Sequence, residues 1–297
     1  MITSLLLVVA AQSSTVMKSH TREVACVAVA PKGNAVASGS ADLSIKLWDS
    51  ESKVQIDTLN GHDGEVHTVA FSPDGLLLAS GERYKKVKIW DVNTRKEVRM
   101  FTDSEAAVLS LAFSPDGKRL FGACKDNAAR VWTVNSNAEA KKLPHNWAVN
   151  GICASPDGKV VATIDDGGNI SFWDSATLKK TGGAEHASPG RSIAFSPDGK
   201  WLATSGGDSV KLWDVAAKAE KWAFKAEANS VGFSPDSSLL GLGTQDNLVI
   251  CLKSADGSVK WKQEKHERPV TGVAFSANGK TLFSSSMDYT IRAWANP

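Results

Sequence analysis

The sequence of 297 residues has few cysteines and almost no net charge, and both shortages exclude classes of protein. Its four cysteines, Cys26, Cys124, Cys153 and Cys251, form no C-x-x-C pair and no spacing typical of a zinc site. We therefore expect small buried thiols rather than disulfides or metal ligands. The formal net charge of +2, from 34 basic and 32 acidic side chains, argues against a dedicated nucleic-acid-binding domain.

Long apolar runs are also missing, so no segment has the roughly 18–20 apolar residues of a membrane-spanning helix. An apolar run, Leu5 to Ala11, lies near the start, but neither Lys nor Arg precedes it. Residues 1–11 therefore have two interpretations. One is a signal peptide with Val9 and Ala11 at the small-residue positions of a cleavage site, and the other is an apolar extension. We favour a cytoplasmic protein, and we expect export if residues 1–11 act as a signal peptide.

The sequence does contain a unit of about forty residues that occurs seven times. In six units an apolar strand ends in Trp, and in the sixth unit along the chain Leu252 has this place. The tryptophans that keep this period are Trp48, Trp90, Trp132, Trp173, Trp213 and Trp294. A Ser-Pro-Asp-Gly turn, or a variant of it, recurs with the same period, so two independent markers agree.

Each unit is predicted to form four short strands, as the second unit shows. Its expected strands are Val66–Phe71, Leu76–Ser80, Val87–Trp90 and Glu97–Phe101. A four-stranded antiparallel sheet of this size cannot cover both of its faces alone, whereas radial stacking of seven sheets covers them. We therefore predict an all-β fold, a seven-bladed β-propeller of four-stranded antiparallel blades, in a single domain over residues 12–297.

The last unit stops at its third strand, three residues after Trp294. Its fourth strand must then come from the amino terminus, where Ser13–Met17 aligns with Gln55–Leu59, the fourth strand of the first unit. We predict that this N-terminal strand pairs into the last blade and closes the ring.

Trp-Asp pairs mark the ends of four third strands, and Gly61-His62 stands at the start of the second unit. The pairs are Trp48-Asp49, Trp90-Asp91, Trp173-Asp174 and Trp213-Asp214. With these residues the chain resembles the WD-repeat family over about residues 12–297. The resemblance implies a seven-bladed propeller and a repeat protein that serves as a scaffold in protein–protein interaction. The motif is specific for the fold and does not identify a partner.

The resemblance also implies a hydrogen-bonded network within each blade. It joins a His before the first strand, a Ser or Thr of the second, an Asp of the following turn and the Trp of the third. Three units have all four residues. They are His20, Ser38, Asp42 and Trp48 in the first unit, His186, Thr204, Asp208 and Trp213 in the fifth, and His266, Ser284, Asp288 and Trp294 in the seventh.

The other four units are incomplete. Tyr84 stands at the Asp position of the second unit and Gly167 at that of the fourth. The third unit lacks the His, and the sixth keeps only Asp246. Because the two units beside the predicted closure are complete, we infer that they hold the ring shut and that the sixth is held mostly by apolar packing.

Candidate catalytic residues follow the same repeat. Five of the six histidines recur at the His position, and only His67 lies on a first strand. A catalytic or metal-binding residue is needed once, whereas a structural residue is needed in every unit. The sequence also has no G-x-S-x-G, P-loop, H-E-x-x-H or kinase signature. We therefore expect no enzymatic activity, no cofactor and no metal ion.

One segment, residues 83–99, departs from the charge balance and is called the basic patch. It carries seven basic side chains against two acidic ones, a net charge of +5. The patch is either a surface for an acidic partner, a phosphate or RNA, or the solvated outer edge of one blade, where lysines discourage aggregation. We favour the outer edge, because Tyr84 is the only aromatic residue of the patch beyond the repeated Trp90 and could alone stack on a base.

The resemblance places the usual binding site of propellers at the face around the channel mouth. The candidate partner-binding residues at these positions are Arg22, Arg83, Lys125, Trp147, Gln245, Arg268 and Met287. Trp147 differs most, because most other units have small residues there and aromatic side chains dominate binding hot spots. The alternative is that Trp147 fills a gap beside Pro144. Arg22 and Arg268 lie in adjacent units across the closure and could form one basic clamp for an acidic peptide.

We therefore predict a non-enzymatic scaffold, monomeric by itself, that binds peptide or protein partners through the channel-mouth face. Two alternatives stay open. One is a reader of a small molecule or a modified residue at the channel mouth, which several converging aromatic side chains would favour. The other is a weak nucleic-acid binder that uses the basic patch, which a steep salt dependence of binding would favour.

Overall fold

The fold is a ring of small sheets. A computed structural model describes residues 13–296, and every regular element among them is a strand. The 28 strands form seven four-stranded antiparallel sheets, the blades, so the predicted all-β, seven-bladed fold is confirmed. Within the described residues there is no helix with the length and apolar character needed to cross a membrane. Both interpretations of residues 1–11 fall outside the described residues and stay predictions.

The blades are numbered 1 to 7 along the chain, and blade 7 takes its fourth strand from the start of the chain. Blades 1 and 2 consist of β2 (Val24–Val29), β3 (Ala35–Ser40), β4 (Ile45–Asp49), β5 (Gln55–Leu59), β6 (Val66–Phe71), β7 (Leu77–Glu82), β8 (Val87–Asp91) and β9 (Glu97–Phe101). Blades 3 and 4 consist of β10 (Val108–Phe113), β11 (Arg119–Cys124), β12 (Ala128–Thr133), β13 (Lys141–Pro144), β14 (Val149–Ala154), β15 (Val160–Asp165), β16 (Asn169–Asp174) and β17 (Lys180–Glu185). Blades 5 to 7 consist of β18 (Gly190–Phe195), β19 (Trp201–Gly206), β20 (Val210–Asp214), β21 (Ala219–Phe224), β22 (Ala228–Phe233), β23 (Leu239–Thr244), β24 (Val249–Lys253), β25 (Val259–Gln263), β26 (Val270–Phe275), β27 (Thr281–Ser286), β28 (Thr290–Ala295) and β1 (Ser14–Lys18).

The Ser-Pro-Asp-Gly turns join the first and second strands of the blades. In blade 2 the Ser72 hydroxyl donates to Asp74 (2.5 Å) and accepts from the backbone N–H of Leu77 (2.9 Å). Gly75 has a φ of +77°, which a residue without a Cβ adopts at no steric cost. Blade 6 has Ser237 at the same position with a φ of +63°, so its turn carries backbone strain that the glycine turns avoid.

Apolar packing between neighbouring blades forms the core. Ile45 and Leu59 of blade 1 pack with Val66 and Leu78 of blade 2, and none of the four is more than 3% exposed. Each of the seven junctions has one such cluster. Since burying one Val, Leu or Ile side chain contributes about 1.5–3 kcal/mol, these clusters supply most of the stability of the ring.

The ring is closed by β1, which pairs antiparallel with β28 along its whole length. Met17 of β1 is 2% exposed and lies in the cluster between blades 7 and 1. Near the ring axis, the Thr271 hydroxyl donates to the carbonyl of Val24 in blade 1 (2.6 Å). The prediction that an N-terminal strand completes the last blade is confirmed, with the strand one residue later than expected.

Blade 6 is packed by apolar side chains, as expected from its missing motif residues. Leu252, which replaces the Trp, is fully buried, and all six residues of β23 are buried as well. Trp261 of β25 is 2% exposed and packs in the cluster shared with blade 7. The blade therefore keeps its place without the polar network.

The four cysteines are unpaired, as expected. Burial raises the pKa of the Cys26 and Cys251 thiols to about 12. Thiols with such pKa values are protonated at neutral pH and are poor nucleophiles and poor metal ligands. They therefore serve as packing groups.

Deleting residues 1–17 should unfold or oligomerise the protein. The deletion removes Met17 from the core and leaves β28 with an unpaired edge that can recruit another strand. Thermal melting and analytical ultracentrifugation measure both effects. An unchanged melting temperature together with a monomeric profile would contradict the role of β1 in closure.

Two substitutions in β1 test its register. Met17→Ala should lower the free energy of unfolding by about 2–5 kcal/mol, because it empties a buried site. Val16→Ala, at a position that is 45% exposed, should change it by less than about 0.5 kcal/mol. Equal effects of the two changes in urea unfolding would show that the assigned register is wrong.

Candidate functional site

One face of the ring, called the mouth face, carries the loops that enter the first strands and the turns between the second and third strands. The same backbone hydrogen bond joins these two segments in every blade. In blade 2 the N–H of Arg83 donates to the carbonyl of Glu65 (3.0 Å). This bond holds the candidate partner-binding residues on one face. All seven are exposed, namely Arg22, Arg83, Lys125, Trp147, Gln245, Arg268 and Met287.

Blades 1 and 7 contain the complete polar network. In blade 1 the His20 ring lies 2.8 Å from Asp42 through Nδ1 and 2.8 Å from the Ser38 hydroxyl through Nε2, and Trp48 donates its indole N–H to the same hydroxyl (2.9 Å). The corresponding distances in blade 7 are all 2.7 Å. Burial by itself would raise the pKa of Asp42, but hydrogen bonds from His20 and Ser44 hold it well below its usual range. A charged carboxylate therefore anchors each network beside the closure.

In blades 2 and 4 a carboxylate two residues before the Asp position of the repeat takes the place of the missing Asp beside the histidine. Glu82 lies 2.7 Å from Nδ1 of His62, and Asp165 lies 3.6 Å from Nδ1 of His145. Both acids end the second strand of their blade, where the other five blades have Ser, Cys, Gly or Thr. Neither acid was predicted, because the repeat places its acidic residue in the turn rather than at the end of the second strand.

Blade 3 replaces the His by an arginine. The guanidinium of Arg130 is fully buried and donates to both carboxylate oxygens of Asp126 (2.8 and 2.5 Å). Such a bidentate pair holds both groups in a fixed orientation. Trp132 then donates its indole N–H to Asp103 instead of to a hydroxyl (2.7 Å).

The role predicted for Asp208 in blade 5 is wrong. Its carboxylate accepts from the side chains of Ser188 (2.7 Å) and Ser209 (2.8 Å) and does not bond the histidine. Because this turn is one residue shorter, His186 instead lies 3.1 Å from the carbonyl of Ser209 and 2.8 Å from the Thr204 hydroxyl. Trp213 still donates to Thr204 (2.8 Å), so three of the four predicted members form the network.

Trp147 lies on the mouth face of blade 4 and is 55% exposed. It rests against Gly167, where an added Cβ would come within 2.5 Å of the indole ring. Among residues 13–296 its indole N–H has no hydrogen-bond acceptor. This exposure disfavours the alternative that Trp147 fills a gap beside Pro144. A flat aromatic surface with a free donor is therefore open to a ligand.

Arg268 reaches from blade 7 to blade 1 across the closure. Its guanidinium lies 3.8 Å from Glu23, the neighbour of Arg22, and 5.7 Å from the centre of the Tyr289 ring. The Arg268 side chain is still 57% exposed. No described carboxylate pairs with Arg22. Both arginines are therefore exposed on the mouth face, in the two blades that meet at the closure.

The first strands also direct side chains towards the ring axis. Each first strand carries one bulged residue near its start, which bends the strand and changes where the side chain points. The bulged residues are Ala25, His67, Leu109, Asn150, Arg191, Asn229 and Thr271. Sequence reasoning missed this position, because a bulge is a property of strand pairing and not of one strand.

From blade 4 to blade 7 the bulged residues tie each blade to the next. Asn150 donates to the carbonyl of Gly190 (2.7 Å), Arg191 to the side chain of Asn229 (2.8 Å), and Asn229 to the carbonyl of Val270 (3.0 Å). The Thr271 bond to blade 1 continues the series. Among the described residues the bulged positions form no such link at the junctions of blades 1 and 2, 2 and 3, and 3 and 4, so one side of the axis is held less tightly by polar contacts.

The basic patch is not one continuous surface. Its strand β8 runs from the mouth face to the opposite face, so Arg83 and Arg95 lie at different ends of blade 2. Arg83 pairs with Glu65 (3.4 Å), Arg95 pairs with Asp57 of blade 1 (3.0 Å), and Lys88 is buried. These contacts support the interpretation that the patch is a solvated and internally paired edge.

No group of three or more His, Cys, Asp or Glu side chains in the described part of the chain could hold a metal ion. A crevice lies between blades 4 and 5, away from the mouth face.

A pair of matched substitutions tests the assignment of the networks. Asp288→Ala should lower the free energy of unfolding by about 1–3 kcal/mol, because it leaves buried His266 without its partner. Asp208→Ala, at the same motif position of blade 5, should change it by less than about 0.5 kcal/mol. Equal losses in urea unfolding would support the sequence prediction against the structure.

The free energy of unfolding should fall as pH is lowered from 7 to 5. Burial lowers the pKa of His145 and His186 below the usual value of about 6.5, so the unfolded chain binds protons that the folded chain does not. This contribution is complete above pH 6.5 and is lost as pH falls below it. A further loss should begin near pH 4, because the pKa values of Asp42 and Asp288 are lowered in the folded state. A melting temperature that stays constant between pH 7 and 5 would contradict the first step.

Comparison with known families identifies the repeat. The family model described as "WD domain, G-beta repeat" matches six segments, residues 11–49, 53–91, 95–133, 139–174, 185–214 and 257–295. The long unmatched stretch between residues 214 and 257 contains most of blade 6, the blade that has lost its motif residues.

Curated relatives match about half of the chain. The chain is 31% identical over 150 residues to "Transcription factor unc-37" of Caenorhabditis elegans, and the match covers 49% of this chain and 24% of the relative. It is 29% identical over 156 residues to "COMPASS component SWD3" of Saccharomyces cerevisiae (48% and 50% covered), and 28% over 151 residues to "Small ribosomal subunit protein RACK1" of Glycine max (51% and 40%). The matches thus span half or less of these relatives. By its repeats and by its seven blades, the chain belongs to the WD40-repeat family.

Proposed function

We propose that the protein is a non-enzymatic scaffold whose mouth face binds a segment of a partner protein. The observation that carries the proposal is Trp147, an exposed indole on the same face as several exposed cations. Aromatic and arginine side chains supply a large part of the binding free energy in protein interfaces. The repeated structural histidines and the absence of catalytic motifs in the sequence favour binding over chemistry.

The charges on the mouth face favour an acidic segment. Exposed cations occur in four consecutive blades, at Arg268, Arg22, Arg83 and Lys125. Arg22 and Lys125 form no ion pair with any described residue, and the pairs of Arg83 and Arg268 are loose, at 3.4 and 3.8 Å. Burial lowers the pKa of His67 near the axis, so this side chain adds no charge at neutral pH.

Trp147 lies in blade 4, next to the end of this cationic arc in blade 3. A segment that follows the arc would place its acidic side chains over the arginines and Lys125, and an apolar or aromatic residue on the indole. Contact is needed for the attraction to be strong, because salt screens exposed charges over about 8–10 Å under physiological conditions. The partner is therefore expected to lie along the face rather than to be attracted from a distance.

The relatives support a role in assembly. One is named as a component of COMPASS and another as a protein of the small ribosomal subunit, so both names refer to larger assemblies. We infer the same kind of role here, in which the ring joins other chains. Its partner is defined by chemistry, as an acidic segment that contains an apolar or aromatic residue.

Combining Trp147→Ala with Arg268→Ala should reduce partner capture by about tenfold or more, because the change removes an aromatic and a cationic anchor. The melting temperature should stay close to that of the unmodified protein, since both side chains are exposed. Affinity purification from cells of the organism that encodes the chain, followed by quantitative mass spectrometry, measures capture.

The matched control combines Val98→Ala with Met100→Ala in β9, where both side chains are exposed on the outer strand of blade 2. This variant should capture the same partners as the unmodified protein. Undiminished capture by the Trp147 and Arg268 variant would reject the mouth face. Capture that nuclease removes, and that falls steeply with salt, would favour nucleic acid and reject a protein partner.

A further inference from the structure

The outer rim of the ring contains a recurring bridge between neighbouring blades. In blades 5 and 6 a Trp of the fourth strand donates its indole N–H to the residue that follows the third strand of the next blade. Trp222 donates to the carbonyl of Ser254 (3.0 Å), and Trp261 donates to the side chain of Asn296 (3.3 Å). Trp222 pairs with Leu212 and Trp261 pairs with Cys251. In each case the partner is the residue just before the repeated Trp position of the third strand.

Four other junctions have polar or cationic bridges at the rim. These contacts also involve the turn that follows a third strand. The bridging pairs are Asp57 with Arg95, Arg99 with Asn137, Arg119 with Ser175, and Lys53 with the Phe283 ring, at the junctions of blades 1 and 2, 2 and 3, 3 and 4, and 7 and 1. Six of the seven junctions are therefore bridged at the rim by a side chain.

The junction of blades 4 and 5 is the exception among the residues that the structure describes. Gly182 pairs with Phe172 and so has the position of Trp222 and Trp261. A Cβ added to Gly182 would have no heavy atom within 4 Å. The missing side chain leaves a crevice of about 290 Å³, lined by Phe172, Phe195, Leu202, Trp213, Val215 and Lys218 among others.

The crevice leaves apolar surface of blade 5 uncovered. Trp213 is partly exposed, whereas the motif tryptophans of the other blades are at most 4% exposed. Phe172 and Phe195, on the two sides of the opening, are partly exposed as well. Contiguous apolar surface of this kind marks binding sites in soluble proteins.

We propose that this crevice binds a tryptophan side chain of a partner polypeptide, in the place that Trp222 and Trp261 occupy in the next two blades. The indole would lie against Trp213, and its N–H would point to the backbone of Val215. Val215 has the same place in blade 5 as Ser254 has in blade 6. The backbone N–H of each donates to the carbonyl of the residue just before the second strand of its own blade.

The size and charge of the crevice agree with this occupant. A smaller apolar cavity of about 150 Å³ already binds benzene, so the larger indole ring fits the space available here. The exposed Lys218 lines the crevice, which favours an acidic residue beside the tryptophan of the partner. The turn that carries Lys218 lies on the side of the ring opposite the mouth face. The site is therefore independent of the proposed function and can be occupied together with the mouth face.

The test uses N-acetyl-tryptophanamide as the probe and saturation-transfer NMR on the full chain as the measurement. The unmodified protein should bind the probe and should bind N-acetyl-leucinamide more weakly. Gly182→Trp places an indole in blade 4 at the position that Trp222 has in blade 5, so it fills the crevice. The change should weaken probe binding by about tenfold or more and raise the melting temperature. The matched control is Lys141→Trp, which adds an indole at the same position of blade 3, away from the crevice, and should leave probe binding unchanged.

If Gly182→Trp fails to fold, Gly182→Leu fills part of the crevice and should weaken probe binding in the same direction. No detectable binding of the probe to the unmodified protein would overturn the proposal. Equal binding by the unmodified protein and by the folded Gly182 variant would also overturn it. Self-association of the unmodified protein that Trp147→Ala abolishes would assign the crevice to a second copy of the chain and overturn the proposal as well.

Discussion

Apolar packing between neighbouring blades holds the ring together, because a sheet of four short strands cannot cover either of its own faces. Every blade depends on two neighbours, and the cluster between blades 1 and 2 around Leu78 recurs in kind at all seven junctions. The dependence on neighbours also explains the closure, since an open ring would leave two apolar faces in water. The pairing of β1 with β28 removes both at once.

The polar networks are added to this packing and vary in chemistry. His20 and His266 use an aspartate of the turn, His62 uses Glu82 at the end of a strand, and Asp126 bonds a buried arginine instead. The common requirement is that each buried donor or acceptor finds a partner, and several residue types satisfy it. Blade 6 shows that a blade can also omit the network when apolar side chains fill the space.

The sequence was sufficient to predict seven blades and the N-terminal closure, because the spacing of Trp48 and its equivalents records the repeat directly. It was not sufficient for Glu82 and Asp208, since the reach of a side chain depends on the length of the turn, and one residue more or less redirects a carboxylate. The bulged positions and the empty space beside Gly182 could not be predicted either, because both arise from pairing and packing between different strands. The exposure of Trp147 was predictable only as a departure from the other repeats.

The closure has a consequence for synthesis of the protein. β1 is the first described strand to be synthesised, and its partner β28 is the last. β1 therefore stays unpaired while the strands of all the other blades are synthesised. This pairing has the longest sequence separation of all the described strand pairs, and long separations slow folding. Blade 7 is therefore completed only after β28 has been translated. A nascent chain stopped before β28 would expose a β-strand that other chains can capture.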